Sequence, residues 1–156
     1  MPKAKSFAGG CACGAVRYTL ATTPMFVNCC HCKDCQRQTG SAFVINALIE
    51  TDRIAVQGKT EDVPLPTDSG RPHIVTRCPK CQTALWSDYG GRKIVRFVRV
   101  GTLDKPAALT PGAHIFTRSK LPWVGLPEDA RVFKVFYKLK TEWPAESLAR
   151  RAALGL

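Results

Sequence analysis

The sequence lacks long apolar runs, internal repeats and extended linkers. No stretch of the 156 residues approaches the roughly 18 uncharged apolar positions that a membrane-spanning helix needs, so we expect no membrane partner. The N-terminal segment MPKAKSFAGG carries two lysines but no apolar run after them, which argues against a secretory signal. We therefore expect a cytoplasmic protein with a single domain over residues 1–156.

Acidic side chains are also scarce. The chain has 12 aspartates and glutamates against 23 lysines and arginines, which gives a formal net charge of +11. This charge suits an anionic partner, whether a small acid, a nucleic acid or a membrane surface. The basic residues are scattered rather than gathered in one run, and no aromatic–basic RNA-binding motif is present. A nucleic-acid or chromatin binding module is therefore the alternative to an enzyme, and it is not favoured.

Short alternating segments and frequent turn residues predict a mainly β protein built from antiparallel strands. Val16, Tyr18 and Leu20 alternate with polar residues and are expected to share one face of a strand. The other predicted strands cover residues 41–49, 54–56, 73–77, 84–86, 94–100 and 131–140.

The segment 131–140 shows the clearest alternation, because apolar residues occupy one face and lysines the other. It predicts a half-buried strand with a basic outer face. Residues 63–72 contain three prolines and a glycine, which predict a loop. Only the tail at 144–154 is predicted to be helical, since Pro144 suits a first helical turn and is followed by alanine, leucine and arginine.

Eight cysteines are the strongest chemical signal in the sequence. Disulfides are disfavoured in a reducing compartment, so metal ligation becomes the leading explanation. Two cysteine pairs that are far apart in sequence commonly build a tetrahedral zinc site. The cysteines fall in three groups, which are Cys11 and Cys13; Cys29, Cys30, Cys32 and Cys35; and Cys78 and Cys81.

Side-chain alternation along extended chain indicates how the sulfurs divide between two zinc ions. Cys30 and Cys32 share a face, and Cys35 returns to them after a turn, whereas Cys29 points away. The simplest partition is a closed site of Cys11, Cys13, Cys78 and Cys81 and an open site of Cys30, Cys32 and Cys35.

The number of sulfurs at each site bears directly on function. A zinc ion with four sulfur ligands is coordinatively full and structural, whereas one with three protein ligands keeps a position for water or substrate. A thiol bound there becomes a thiolate near neutral pH, although free thiols have a pKa of about 8.5. The alternative is that Cys29 or another residue closes the second site.

Four motifs between positions 10 and 123 carry a resemblance to a known family. They are GCACGAVRY from Gly10, CHCKDC from Cys30, CPKC from Cys78 and HIFTRSKLPW from His114. Together they resemble the glutathione-dependent formaldehyde-activating enzyme family, also called Gfa and centromere-protein-V-like. Each Cys-x-x-Cys motif alone is a weak signal, but the combination is specific.

The resemblance implies an Mss4-like fold of several coiled antiparallel sheets with zinc knuckles, over a core of about residues 9–140 and a helical tail. It implies the same partition, with a structural zinc on Cys11, Cys13, Cys78 and Cys81 and a catalytic zinc on Cys30, Cys32 and Cys35. The implied activity is that of a carbon–sulfur lyase, which condenses glutathione with formaldehyde to S-hydroxymethylglutathione. The sequence does not identify the true thiol, the electrophile or the oligomeric state.

Further residues are assigned as hypotheses beside this resemblance. Arg118 and Lys120 are candidates for the carboxylates of glutathione, and Trp123 for a wall of the pocket. The alternative is that the two cations are solvated and that Trp123 belongs to the core. His31 lies between ligands but faces away from them, which favours packing or support of the ligands over a role as general base. Gln82 stands where the family usually has glycine, so strain is expected in that turn.

Overall fold

The computed structural model describes residues 5–67 and 69–156, and this part of the chain is mainly β. Residues 1–4, which begin the segment used to exclude a secretory signal, and Asp68 in the predicted loop lie outside the described residues. The predicted fold class is confirmed, because the described residues form ten strands in two sheets, accompanied by a few short helices. Among the described residues, no helix has the length and apolar character required to cross a bilayer.

The strands and helices are short. The strands are β1 Phe7–Gly10, β2 Arg17–Leu20, β3 Phe26–Cys30, β4 Val44–Glu50, β5 Ile54–Gln57, β6 Glu61–Leu65, β7 His73–Arg77, β8 Ala84–Tyr89, β9 Val95–Arg99 and β10 Ala113–Ile115, and the α-helices are α1 Lys33–Thr39, α2 Leu139–Glu142 and α3 Ala145–Ala153.

The chain divides into two compact units. The first comprises the described residues up to Pro24 together with Ala47–Ala108, and the second comprises Met25–Asn46 and Leu109–Leu156. Strand β4 is the segment in which the chain passes from the second unit to the first. The prediction of a single domain over residues 1–156 is not tested by this division and stays a prediction.

Antiparallel pairing dominates the first unit. Strands β1, β2 and β5 form a sheet in that order, and β9, β8, β7 and β6 lie side by side in that order. The face predicted for β2 is confirmed, because Val16, Tyr18 and Leu20 are 0%, 2% and 0% exposed. The Tyr18 ring packs edge-on against the ring of Trp86, with centroids 5.6 Å apart. These contacts form the apolar core beneath β2.

The second unit is organised around β3, on which every residue is buried. The Tyr137 hydroxyl donates to Asn28 Oδ1 at 2.9 Å and accepts from Trp143 Nε1 at 2.9 Å. The Trp143 ring also stacks on Phe26, with centroids 5.6 Å apart. The C-terminal part of this unit therefore fixes β3, which ends in two adjacent cysteines.

Most predicted elements are confirmed with small changes in their bounds. The strands predicted at 41–49, 54–56, 73–77, 84–86 and 94–100 appear as β4, β5, β7, β8 and β9, and the predicted tail helix appears as α3. Pro144 lies immediately before α3 rather than in its first turn.

The strand predicted at 131–140 is wrong. Val132 makes an isolated parallel bridge to His114, and α2 begins before the segment ends. The carbonyls of 133–135 instead accept hydrogen bonds from the amides of 116–118, which belong to a turn. Alternation describes which side chains are suited to burial, whereas a strand also needs a partner in register along its length. Beyond the single bridge of Val132, the described residues supply no such partner for this segment.

Two further expectations need correction. The predicted loop at 63–72 begins inside β6, where Pro64 is tolerated because β6 is an edge strand and its missing N–H breaks no ladder. The expectation of wholly antiparallel pairing is wrong for β3 and β10, which run parallel and place His114 opposite Cys29.

Gly58, which follows β5, is required by its surroundings. Its φ of 92° is unfavourable for other residues, and a Cβ there would lie 2.1 Å from the Ala15 carbonyl oxygen. Gly58→Ala is expected to lower the free energy of unfolding by about 3 kcal/mol, measured by urea denaturation. Gly101→Ala is the control, because a Cβ at Gly101 meets no atom within 4 Å. Equal effects of the two substitutions would show that neither the positive φ nor the Ala15 carbonyl constrains position 58.

Candidate metal centres

The first unit brings four predicted ligands together. The sulfur atoms of Cys11, Cys13, Cys78 and Cys81 all lie within 4.8 Å of one another. The Cys13 Sγ is 3.6 Å from the Cys11 Sγ and 3.8 Å from the Cys78 Sγ. Zinc–sulfur bonds of about 2.3 Å give a tetrahedron whose sulfur–sulfur edges are about 3.8 Å. The donor set and its spacing therefore fit a tetrahedral zinc ion.

Two tight turns place these sulfurs. In the first turn, the Val16 amide donates to the Cys11 Sγ at 3.2 Å, and the Gly14 amide donates to the Cys11 carbonyl at 3.1 Å. In the second turn, the Gln82 amide donates to the Cys78 carbonyl at 2.9 Å, and the Cys78 amide donates to the Thr83 carbonyl at 3.1 Å. Each turn folds the chain back so that its sulfurs point toward one centre.

The strain expected at Gln82 is confirmed by its left-handed backbone, with a φ of 62°. The surrounding contacts hold this conformation. The Gln82 side-chain amide donates to Glu61 Oε1 at 2.7 Å and to the Pro79 carbonyl at 3.2 Å, and Arg77 Nη1 donates to the Gln82 carbonyl at 2.9 Å. Hydrogen bonds donated by the Gln82 side chain therefore accompany a left-handed backbone conformation that glycine adopts more easily.

Thr83 supports the four-sulfur group but was not predicted. Its Oγ1 lies 3.1 Å from the Cys81 Sγ and accepts from the Ala12 amide at 3.1 Å. Hydrogen bonding by Thr83 lowers the pKa of the Cys81 thiol to about 5. Because the thiolate is the form that ligates metals, this contact favours metal binding. A single threonine after a Cys-x-x-Cys motif gives no signal of this role in the sequence.

The second unit brings together the three sulfurs of the predicted open site. The Sγ atoms of Cys30, Cys32 and Cys35 lie within 4.8 Å of one another. Cys30 ends β3, Cys32 precedes α1, and the Cys32 Sγ accepts a hydrogen bond from the Cys35 amide at 3.3 Å. Cys30 and Cys35 are buried, whereas Cys32 is half-buried. The group is therefore accessible from the Cys32 side.

The pKa values of Cys30 and Cys32 are shifted in opposite directions. Hydrogen bonds from Cys30 and Cys35 lower the pKa of Cys32 to about 2, and the hydrogen bond to Cys32 raises the pKa of Cys30. These contacts favour the thiolate at Cys32, which is the form that ligates soft and borderline metal ions. The donor chemistry of this group also fits zinc.

Cys29 does not join the three-sulfur group. Its Sγ lies 3.6 Å from His31 Nε2, which is itself 3.1 Å from His114 Nδ1. The side chains of Cys29, His31 and His114 form a separate group of donors within 4.8 Å of one another. Burial, then His114 and Lys120, lower the pKa of His31 to about 4, so this imidazole is neutral near pH 7.

The predicted substrate contacts lie in the turn after β10. Arg118 is exposed, whereas Lys120 Nζ donates to the Leu121 carbonyl at 3.1 Å and to the Val124 carbonyl at 2.7 Å. Trp123 is 75% exposed, so its assignment to the core is wrong. None of these contacts tests a role in substrate binding, which stays a prediction.

Gln36 links the turn after β10 that contains Arg118 and Lys120, here called the substrate-contact turn, to the cysteine motif that begins at Cys30. Its side-chain amide donates to the Ser119 carbonyl and to the His31 carbonyl, both at 2.9 Å. This link fixes α1 against the backbone between Arg118 and Lys120. The role of Gln36 was not predicted, because a glutamine in a short helix carries no signal of its partners.

The mainly β fold carries two groups of thiols, each of which could hold a metal ion. The family model for the glutathione-dependent formaldehyde-activating enzyme matches residues 6–119, and the chain belongs to this family. A comparison with curated proteins finds no match. The match spans both cysteine groups and extends to the turn that contains Arg118.

The left-handed conformation of Gln82 can be tested by comparing two substitutions that both remove its amide. Gln82→Gly is expected to be more stable than Gln82→Ala by about 1 kcal/mol, because only glycine adopts this φ without strain. Chemical denaturation of the zinc-loaded variants measures the difference. An alanine variant as stable as the glycine variant would contradict the assigned strain.

Proposed function

We propose that the protein is a zinc-dependent carbon–sulfur lyase that resembles S-(hydroxymethyl)glutathione synthase. Its reaction adds the thiol of glutathione to formaldehyde or to a similar small carbonyl. The observation that carries the proposal is the three-sulfur group of Cys30, Cys32 and Cys35, which includes no fourth cysteine, histidine, aspartate or glutamate among the described residues. The family to which the chain belongs supports the thiol and the carbonyl as substrates.

The proposal assigns different roles to the two cysteine groups. When held by three sulfurs, zinc supplies a fourth coordination position and lowers the pKa of a thiol placed there. The four-sulfur group of the first unit has no such position and stabilises the fold. The proposal thus includes two zinc ions for these groups and a cytoplasmic location, where glutathione is abundant as the free thiol.

The proposed reaction is an addition that needs neither an oxidant nor a reductant. A bond forms between the thiol sulfur and the carbonyl carbon, the carbon–oxygen π bond breaks, and the proton released by the thiol ends on the oxygen. The protein residues contribute chiefly by position. The Cys35 amide orients the Cys32 sulfur through its 3.3 Å hydrogen bond, and Gln36 holds the neighbouring turn at a fixed distance from α1.

The substrate-contact turn suits an anionic thiol. We assign the carboxylates of glutathione to Arg118, whose exposed guanidinium offers paired donors, and to Lys120. Two of the three N–H groups of Lys120 are directed to backbone carbonyls, so one remains for a ligand. Trp123 offers a large exposed apolar surface for the uncharged part of the peptide.

The proposal predicts that Cys32→Ala loses catalysis but keeps its fold. Synthesis of S-hydroxymethylglutathione, followed by NMR of mixed glutathione and formaldehyde, is expected to fall more than about 100-fold, because one zinc ligand is removed. Gln38→Ala on the same helix is the control and should retain activity. Global unfolding of Cys32→Ala, seen by circular dichroism, would instead indicate a structural metal, and full activity would contradict the proposal.

The assignment of Arg118 predicts a change in substrate binding. Arg118→Ala should raise the KM for glutathione about 10-fold with little change in kcat, because one charge-assisted hydrogen bond is lost. Lys59→Ala is the control, since it removes the same charge from an exposed position in the first unit. If both variants raise KM equally, general attraction by the basic surface replaces the specific contact.

A further inference from the structure

A third group of potential metal ligands lies in the second unit, outside the two groups that the proposed function uses. It consists of the Cys29 Sγ, His31 Nε2 and His114 Nδ1. We propose that these three atoms form a third metal site, which binds a zinc ion. This site is independent of the proposed reaction, since none of its ligands belongs to the three-sulfur group.

The spacing of the three atoms matches that of zinc ligands. The Sγ–Nε2 distance is 3.6 Å, the Nε2–Nδ1 distance is 3.1 Å, and all three atoms lie within 4.8 Å of one another. With metal–nitrogen bonds of about 2.0 Å and a metal–sulfur bond of about 2.3 Å, a tetrahedral site has edges of about 3.5 Å for S–N and about 3.3 Å for N–N. The Sγ–Nε2 and Nε2–Nδ1 distances differ from these edges by about as little as the two sulfur–sulfur distances given for the four-sulfur group differ from theirs.

Hydrogen bonding alone accounts less well for this arrangement. His31 Nε2 lies within reach of both the Cys29 thiol and His114 Nδ1, yet it carries either one hydrogen or one lone pair. It therefore makes one full hydrogen bond and leaves the other contact unsatisfied. A bound cation accepts a lone pair from all three atoms at once, so both close contacts become favourable.

Backbone pairing between β3 and β10 brings the three ligands together without a bound ion. Cys29 and His31 are two residues apart, so extended chain places them on the same side of β3, and parallel pairing with β10 sets His114 opposite Cys29. Cys29 is 1% exposed and His31 is fully buried, so neither side chain incurs a further ordering cost on binding. An ion there joins β3 to β10.

The sulfur and nitrogen ligands of this site favour zinc over magnesium and calcium. One thiolate and two imidazoles suit a borderline divalent ion such as zinc, whereas magnesium and calcium prefer oxygen ligands. Three protein ligands leave a fourth position, which we place on the side of His114, the least buried of the three residues.

The metal content of the intact chain tests the proposal. Purified protein is loaded with zinc, dialysed against a weak chelator and analysed for zinc by mass spectrometry. Three ions per chain are expected in the wild-type protein, and Cys29→Ser and His114→Gln should each retain two. Cys32→Ser is the matched comparison, since it should also lose one ion but from the three-sulfur group.

A double substitution and cobalt spectroscopy distinguish the third site from the others. Cys29→Ser combined with Cys32→Ser should lose two ions, and cobalt-loaded His114→Gln should lose the absorption of a centre with a single thiolate ligand. Two ions in the wild-type chain, with none lost on Cys29→Ser, would overturn the third site and leave the proposed function intact. If Cys32→Ser loses one ion and Cys29→Ser and His114→Gln each lose a different one, the third site is supported whether or not the proposed reaction is observed.

Discussion

The structure depends on cysteine sulfurs that backbone hydrogen bonds hold close together. In the first unit, amides near Cys11 and Cys78 fold two turns so that neighbouring sulfurs lie 3.6 Å and 3.8 Å apart. Thiolates at this distance repel one another, and a divalent cation converts the repulsion into attraction. The first unit has strands of only four to six residues, so a metal ion held by these four sulfurs would add to its stability.

The proposed roles of the two cysteine groups follow from their numbers of sulfurs. Four sulfurs saturate a tetrahedral ion, whereas Cys30, Cys32 and Cys35 leave one position open. Strand β3 separates this group from the Cys29 thiol, which alternation turns toward His31 instead. The same short strand therefore keeps an additional thiol away from the open position, and this exclusion is what the proposed chemistry requires.

The sequence allowed the ligand groups to be predicted because the three-sulfur group depends on local spacing and the four-sulfur group combines two closely spaced cysteine pairs, a common arrangement of zinc ligands. Cys30 and Cys32 share a face by alternation, and the strain at Gln82, seen as its positive φ, was expected because the family usually has glycine at that position. The contacts of His114 and Thr83 were not predictable, since parallel pairing and turn closure join residues that carry no mutual signal. The strand predicted at 131–140 failed for the same reason, because pairing is non-local.

The open coordination position is tested most directly by the spectrum of the cobalt-substituted protein during titration with glutathione. If the three-sulfur centre is open, added thiol changes the ligand-field absorption of that centre and leaves that of the four-sulfur centre constant. The change is also expected to disappear in Cys32→Ser, which lacks one sulfur of the open group. A spectrum that is insensitive to glutathione would show that the second centre is already closed by the protein, which would contradict the proposed role of the three sulfurs.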